Sequence, residues 1–196
     1  MSRFVDRGAI TAAYVGMGMA TTIVASFLLI IPIEWIIWLL ALPSGLLIGY
    51  YANQRSNRRT GPWSRILVNG LFAGVVTGLT VAVLLLVVKG IFFYADSGYP
   101  DFNHIEKTGP VPPYCETGAD CVFQRYLKAG RGPDLAAAGA TDPASFTGLY
   151  WGEQVGTAGT LVLLTTMGGL GGAAIYGVVR PKPQAATADV GSAAIT

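Results

Sequence analysis

Four stretches of this chain hold almost nothing but apolar and small residues, and short polar segments separate them. Residues 9–31, "AITAAYVGMGMATTIVASFLLII", carry no charge. Pro32, Ile33 and Glu34 interrupt the pattern, and "WIIWLLALPSGLLIGYY" then fills residues 35–51. Residues 66–94 are broken only by Asn69 and Lys89, and residues 153–179 carry no charge after Glu153. A span needs about 20 apolar residues to cross a hydrocarbon core of about 30 Å. A single helix over residues 9–51 would run about 65 Å at 1.5 Å per residue, so the chain must turn back at Pro32–Glu34. Trp35 and Trp38 suit the interface there.

The pattern therefore predicts an all-α integral membrane protein with four transmembrane helices. In order, the segments are a cytoplasmic N-terminus (1–8), span one (9–31), an external turn (32–34), span two (35–51), a basic cytoplasmic loop (52–65), span three (66–94), a long external loop (95–152), span four (153–179) and a mobile cytoplasmic tail (180–196). The first span is too long for the apolar core of a cleaved signal, about 7–15 residues, and reads as an uncleaved one. Pro43 interrupts span two and frees the carbonyl of Leu39.

The long loop carries its own helical signals. Thr117 and Asp120 have the spacing of a capping box, with Asp in place of Glu. Val122, Phe123, Tyr126 and Leu127 then fall on one side, Gln124, Arg125 and Lys128 on the other, and Gly130 ends the helix. "TDPASF" is a second start, with Asp142 as N-cap and Pro143 in the first turn. Phe146, Leu149 and Tyr150 continue its apolar face toward Trp151, while Gly148 and Gly152 weaken an unbroken helix into span four. The loop reads either as a lid on the outer end of the bundle or as a docking cap for a partner.

Composition agrees with a membrane location. Only 12% of residues are charged and the mean hydropathy is +0.51, where a soluble domain typically has about 25% charged residues. The distribution of Lys and Arg sets the orientation. Arg3, Arg7, Arg55, Arg58, Arg59, Arg65, Arg180 and Lys182 fall on one side of a four-span layout. Most carboxylates fall on the other, so both termini are expected in the cytoplasm and the long loop outside. This fits a multi-pass plasma-membrane protein, in a bacterium one of the inner membrane. In an external loop Cys115 and Cys121 are expected to form a disulfide, and they do not match a four-ligand zinc pattern.

Small residues recur at four-residue spacing in every span. The series are Ala12, Gly16 and Ala20; Gly45 and Gly49; Gly70, Gly74 and Gly78; and Gly168 with Gly172, offset from Gly169, Ala173 and Gly177. In lipid, helices associate through close backbone approach, which small residues allow. These stripes are expected to pack a four-helix bundle, with a partner surface as the alternative.

Ionisable groups are scarce within the spans. Glu34 stands at the outer turn, and Lys89 lies about one and a half turns inside the outer end of span three, from where its ammonium can reach outward. The two are candidates for an interfacial ion pair. Asn69 is placed to hydrogen-bond across helices. The only histidine, His104, lies in the loop, which leaves the spans no histidine to ligate haem. No Ser-His-Asp, HExxH or P-loop pattern is present. "GGLGG" lacks the preceding strand of a dinucleotide site. Asp96, Asp101, His104 and Glu106 read as a solvated acidic loop. No catalytic, metal or cofactor site is expected. The partners implied are the bilayer and either another membrane protein or a second copy of this chain. A net charge of +2 gives no reason to expect nucleic acid.

A short first outer turn and a long cysteine-bearing loop before the last span are similar in outline to tetraspanins. The loop lacks their Cys-Cys-Gly motif and holds fewer cysteines, so no function is carried over. The expected function is structural, as a scaffold or as an accessory or assembly subunit of a membrane complex. The alternative is an oligomeric transporter or channel for a small neutral solute, with Thr77, Thr80, Thr165 and Thr166 as its candidate lining.

Overall fold

The structure is a computed structural model that describes residues 5–29, 34–56, 61–95, 105–106, 109–110 and 118–180, with residues 26–29, 34–38 and the short strands described by backbone alone. Four long helices dominate it: α1 (Arg7–Leu29), α2 (Glu34–Gln54), α3 (Trp63–Tyr94) and α6 (Pro143–Val179). Between α3 and α6 lie a two-residue antiparallel pair, Ile105–Glu106 with Gly109–Pro110, then α4 (Ala119–Tyr126), a wider turn over Leu127–Arg131, and α5 (Gly132–Ala137). Among the described residues three helices, α1, α3 and α6, are long and apolar enough to cross a membrane. That is compatible with a multi-pass membrane protein.

Each helix outruns the apolar run that predicts it, for a local reason. Helix α1 starts at Arg7 because the Asp6 carbonyl accepts from the Ala9 and Ile10 N–H groups at 3.1 and 3.2 Å. Helix α2 passes Tyr51 because Ala52 and Asn53 still face inward and are buried. Pro43 lies inside it without ending it. Helix α3 starts at Trp63, straight after Pro62, which cannot donate a backbone hydrogen bond. Helix α6 starts at Pro143, where the Asp142 carboxylate accepts from the Ala144 and Ser145 N–H groups at 2.9 and 3.1 Å. The Ser145 hydroxyl in turn accepts from the Asp142 N–H at 3.2 Å, completing a capping box. The helix then runs unbroken through Gly148 and Gly152. Those glycines weaken it locally, but 37 residues of helix propagate past them.

Packing contacts fix the order of the long helices. Helix α6 lies against both α2 and α3, and α1 lies against the same two from their other side. Neighbours in sequence run antiparallel, so α2 and α6 are parallel. One apolar core near mid-length joins Ala20 and Val24 of α1, Ala41 of α2, Val81 and Leu85 of α3, and Leu161 of α6. Another, toward the start of α1, joins Ala9 and Ala12 to Ile48, Ala52 and Ala73.

At about 1.5 Å per residue, α3 with 32 residues and α6 with 37 are about 48 and 55 Å long, against about 31 Å for the 21 residues of α2. The excess of α3 and α6 carries the α4–α5 segment as a cap. Val122, Phe123, Leu135 and Ala140 of the cap form one core with Phe93 of α3 and with Phe146 and Tyr150 of α6. The Gly118 N–H donates to the Phe93 carbonyl at 3.2 Å and ties the start of α4 to α3.

The cap departs from its sequence signals in three places. Helix α4 starts on Gly118, at φ +98°, with no side-chain cap, and Thr117 lies outside the described residues. Leu127 is exposed, because Gly130 at φ +78° turns the chain before its face can close on the core. Arg125 is half-buried, which pushes its pKa below the usual guanidinium value.

Candidate functional site

Most of the close approaches at the described glycines surround α6. A Cβ added at Gly70 would stand 2.5 Å from both the Gly169 carbonyl oxygen and the Ala173 Cβ. At Gly74 it would stand 2.8 Å from the Thr165 carbonyl oxygen, and at Gly78 it would run into the Thr165 hydroxyl. On the other flank, Gly45 and Gly49 face the carbonyls of Thr165 and Gly169, while Gly168 and Gly172 face those of Leu42 and Leu46. The two offset series on α6 thus serve two helices. Gly168 and Gly172 turn their Cα toward α2, and Gly169 and Ala173 turn theirs toward α3, while the Gly169 carbonyl also meets Gly49 of α2. Gly177 takes the ring of Trp63, over which the Arg180 guanidinium sits 5.7 Å from the ring centre. Gly16 lies against the Thr77 side chain and joins α1 to α3. Backbone contacts this close gather dispersion and weak Cα–H···O interactions that larger residues would prevent.

A buried polar network closes the end of the bundle where α1 begins. Asn53, 1% exposed, donates through its amide to the Gly49 carbonyl at 3.0 Å and to the Ile66 carbonyl at 3.1 Å. Asn69 donates to the Asn53 amide oxygen at 3.4 Å and accepts from the Asp6 N–H at 3.4 Å. Ser56 donates to the Asp6 carboxylate. The network links the start of α1, the end of α2 and the start of α3. The composition of residues 52–65 hides it: Asn53 and Ser56 sit among arginines and read as loop. Four-residue spacing from Gly45 and Gly49 to Asn53 is the signal that places Asn53 on the inward face.

Lys89 is buried. It is 6% exposed and is not without a partner. Val81, Leu85, Lys89 and Phe93 form one buried stripe at four-residue spacing, which turns the lysine toward the other helices. Ala41 packs with Val81 and Leu85, so the antiparallel register brings the backbone of Glu34, seven residues earlier, to about the level of Lys89. The Glu34 side chain lies outside the described residues.

The threonines turn back on their own helices. Thr77 donates to the Ala73 carbonyl, Thr80 to that of Val76 and Thr165 to that of Leu161, each at 2.8 Å. The Thr166 hydroxyl is buried without a hydrogen-bond partner among the described residues. Cys121 is buried in the cap, and Cys115 lies outside the described residues. The side chains of Asp96, Asp101, His104 and Glu106, of Trp35 and Trp38, and the tail after Arg180 also lie outside them. Among the described residues no group of three His, Cys, Asp or Glu is placed to hold a metal ion.

Comparison with known proteins finds no similarity on which to base a function: no family profile matches the chain, and neither does any curated protein or solved structure.

Proposed function

We propose that this chain is a structural membrane protein: a rigid four-span bundle that serves as a scaffold or as an accessory or assembly subunit of a larger membrane complex. The observation that carries this reading is the grip of α2 and α3 on α6. A transporter rocks one group of helices against another, whereas backbone-close glycine contacts hold α6 against Gly45 and Gly49 of α2 and Gly70 to Gly78 of α3. Three threonines that could line a polar path instead satisfy their own backbone carbonyls, which supports the structural reading over the transport alternative.

In this reading all four long helices span the bilayer. The termini and the residue 52–65 loop face the cytoplasm, in line with their excess of arginine. The cap faces outward, where a Cys115–Cys121 bridge is stable; Cys121 is buried and is not a free thiol. Glu34 and Lys89 pair near the outer interface, a placement that their shared level supports. Fully additive effects of Glu34→Gln and Lys89→Met on thermal stability would show that they are uncoupled.

The test of function is extraction in mild detergent, followed by native electrophoresis and mass spectrometry of co-migrating chains. A stoichiometric complex, with itself or with another membrane protein, is expected. A monomer that migrates alone overturns the subunit reading, and solute flux in liposomes then tests the alternative.

A further inference from the structure

At the end of the bundle where α1 begins, the ends of all four long helices are tied together. A Cβ added at Gly8 would run into the Ser56 backbone nitrogen and crowd the Ala52 carbonyl, Asn53 donates to the Ile66 carbonyl, and Gly177 lies against the ring of Trp63. Each tie has an arginine beside it: Arg7 and Arg55 at the first, Arg65 at the second and Arg180 at the third. Arg7, Arg55 and Arg65 are exposed and Arg180 is half-buried. Aromatic rings hold two of these guanidiniums. That of Arg180 lies 5.7 Å from the centre of the Trp63 ring and donates to the Gly61 carbonyl. That of Arg55 lies 5.5 Å from the centre of the Tyr51 ring and donates to the Tyr51 hydroxyl at 3.1 Å. Each hydrogen bond uses one N–H and leaves the rest of the fork to other acceptors. Among the described residues Asp6 is the only carboxylate at this end, and its oxygens accept from the Ser56 hydroxyl and the Arg7 N–H. Exposed apolar side chains adjoin the arginines along the helices: Ile10 on α1, Leu67 and Val68 on α3, Val178 and Val179 on α6.

We propose that these four arginines form a docking surface for anionic phospholipid headgroups of the leaflet at that end. Phosphate oxygens fit the planar fork of a guanidinium in pairs. Aromatic rings suit the headgroup layer, and the adjoining apolar side chains meet the acyl chains of the same lipid. A zwitterionic headgroup brings its own positive charge and gains less from four guanidiniums set against one engaged carboxylate. The proposal rests on the membrane-spanning reading above, in which this end is cytoplasmic, and goes further in naming the lipid.

The experiment is native mass spectrometry of the full chain, released from nanodiscs of equal phosphatidylglycerol and phosphatidylcholine with the same acyl chains at low salt. It counts the lipids of each kind that stay bound. Wild type is expected to retain phosphatidylglycerol preferentially. The preference should fall about fivefold for each arginine removed in Arg55→Gln with Arg65→Gln. Lys128→Gln with Arg131→Gln removes the same charge from the cap and should leave it unchanged. No preference in wild type, its persistence without Arg55 and Arg65, or an equal loss in the two pairs overturns the proposal. Arg55→Lys with Arg65→Lys keeps the charge and should retain most of the preference; if it loses as much as the glutamine pair, charge is not what binds and the proposal falls. A co-migrating protein lost from the glutamine pair, with no lipid preference in wild type, overturns it in favour of an acidic protein partner. A wild-type chain that stays in solution with neither detergent nor lipid overturns the spanning reading instead.

Discussion

Replacing Gly70 by alanine tests the packing around α6 with the smallest possible change. The new methyl would stand 2.5 Å from a backbone oxygen and from the Ala173 Cβ, and neither can swing aside as a long side chain could. Ordinary contact begins near 3.4 Å, so 3.4 − 2.5 gives about 0.9 Å of separation that α3 and α6 must supply. A radial gap of about 0.5–1 Å forfeits about a quarter to a half of each neighbouring dispersion contact. Overpacking of this kind costs about 1–3 kcal/mol, and the better helix propensity of alanine returns about 1 kcal/mol. The net expectation is a loss of about 1–2 kcal/mol. Gly148→Ala is the matched control on α6, because its Cβ would meet nothing within 4 Å. It should gain up to about 1 kcal/mol from propensity alone. At about 2–4 °C per kcal/mol for a chain of this size, the two variants should move Tm in opposite directions from wild type. Thermal unfolding in one detergent, followed by circular dichroism, reads both. If Gly70→Ala proves as stable as Gly148→Ala, α6 is not held by close backbone contact at Gly70.

Asn53→Leu should destabilise by about 1–3 kcal/mol by leaving the Ile66 carbonyl and the Asn69 amide without their buried partner, whereas Gln54→Leu, one residue on and exposed, should change Tm little; an equal loss in both would refute the network's role. Phe146→Ala, at a side chain only 1% exposed, should cost about 3–5 kcal/mol and free the cap, so limited proteolysis should cut within residues 118–142 before it cuts the long helices. The Asp142 carboxyl is held below its usual pKa by the Ser145 hydroxyl and N–H, helped by the Ala144 N–H. A depressed folded-state value means that the cap stabilises α6 above the unfolded-state pKa, about 3.9, and that this is lost as pH falls through the lower folded value. The protection of the Phe146 and Thr147 amides, measured against their unstructured exchange rates at each pH, should therefore fall in acid and in Asp142→Ala at neutral pH, and protection in the variant should show no further acid response.

The long helices were legible because apolar runs near the length of a bilayer have few other solutions. Their ends were less so. Asn53 lies one turn beyond Gly49 on the same inward face, but its arginine neighbours make it look like loop, and only tertiary contact with Ile66 and Asn69 shows why the helix continues. Asp142 and Pro143 marked the start of α6 because a cap is local chemistry. The unbroken passage through Gly148 and Gly152 was not legible, because propensity alone argues against it and the anchoring of Phe146 and Tyr150 in the cap is long-range. Small residues at four-residue spacing marked the packing faces, yet only the structure distinguishes the α6 glycines that meet α2 from those that meet α3. The burial of Lys89 was not legible either, because only its place on the stripe of Val81, Leu85 and Phe93 turns it toward the other helices.

The double grip on α6 also bears on the order in which the fold can form. Helices α1, α2 and α3 leave the ribosome first and can pack together as they emerge. In the four-span reading proposed above, their glycine grooves toward α6 stay open until the cap segment and α6 have been made. In that reading Gly45, Gly49, Gly70, Gly74 and Gly78 lack their α6 contacts during that interval. A truncation before Pro143 would remove the helix that both glycine faces pack against.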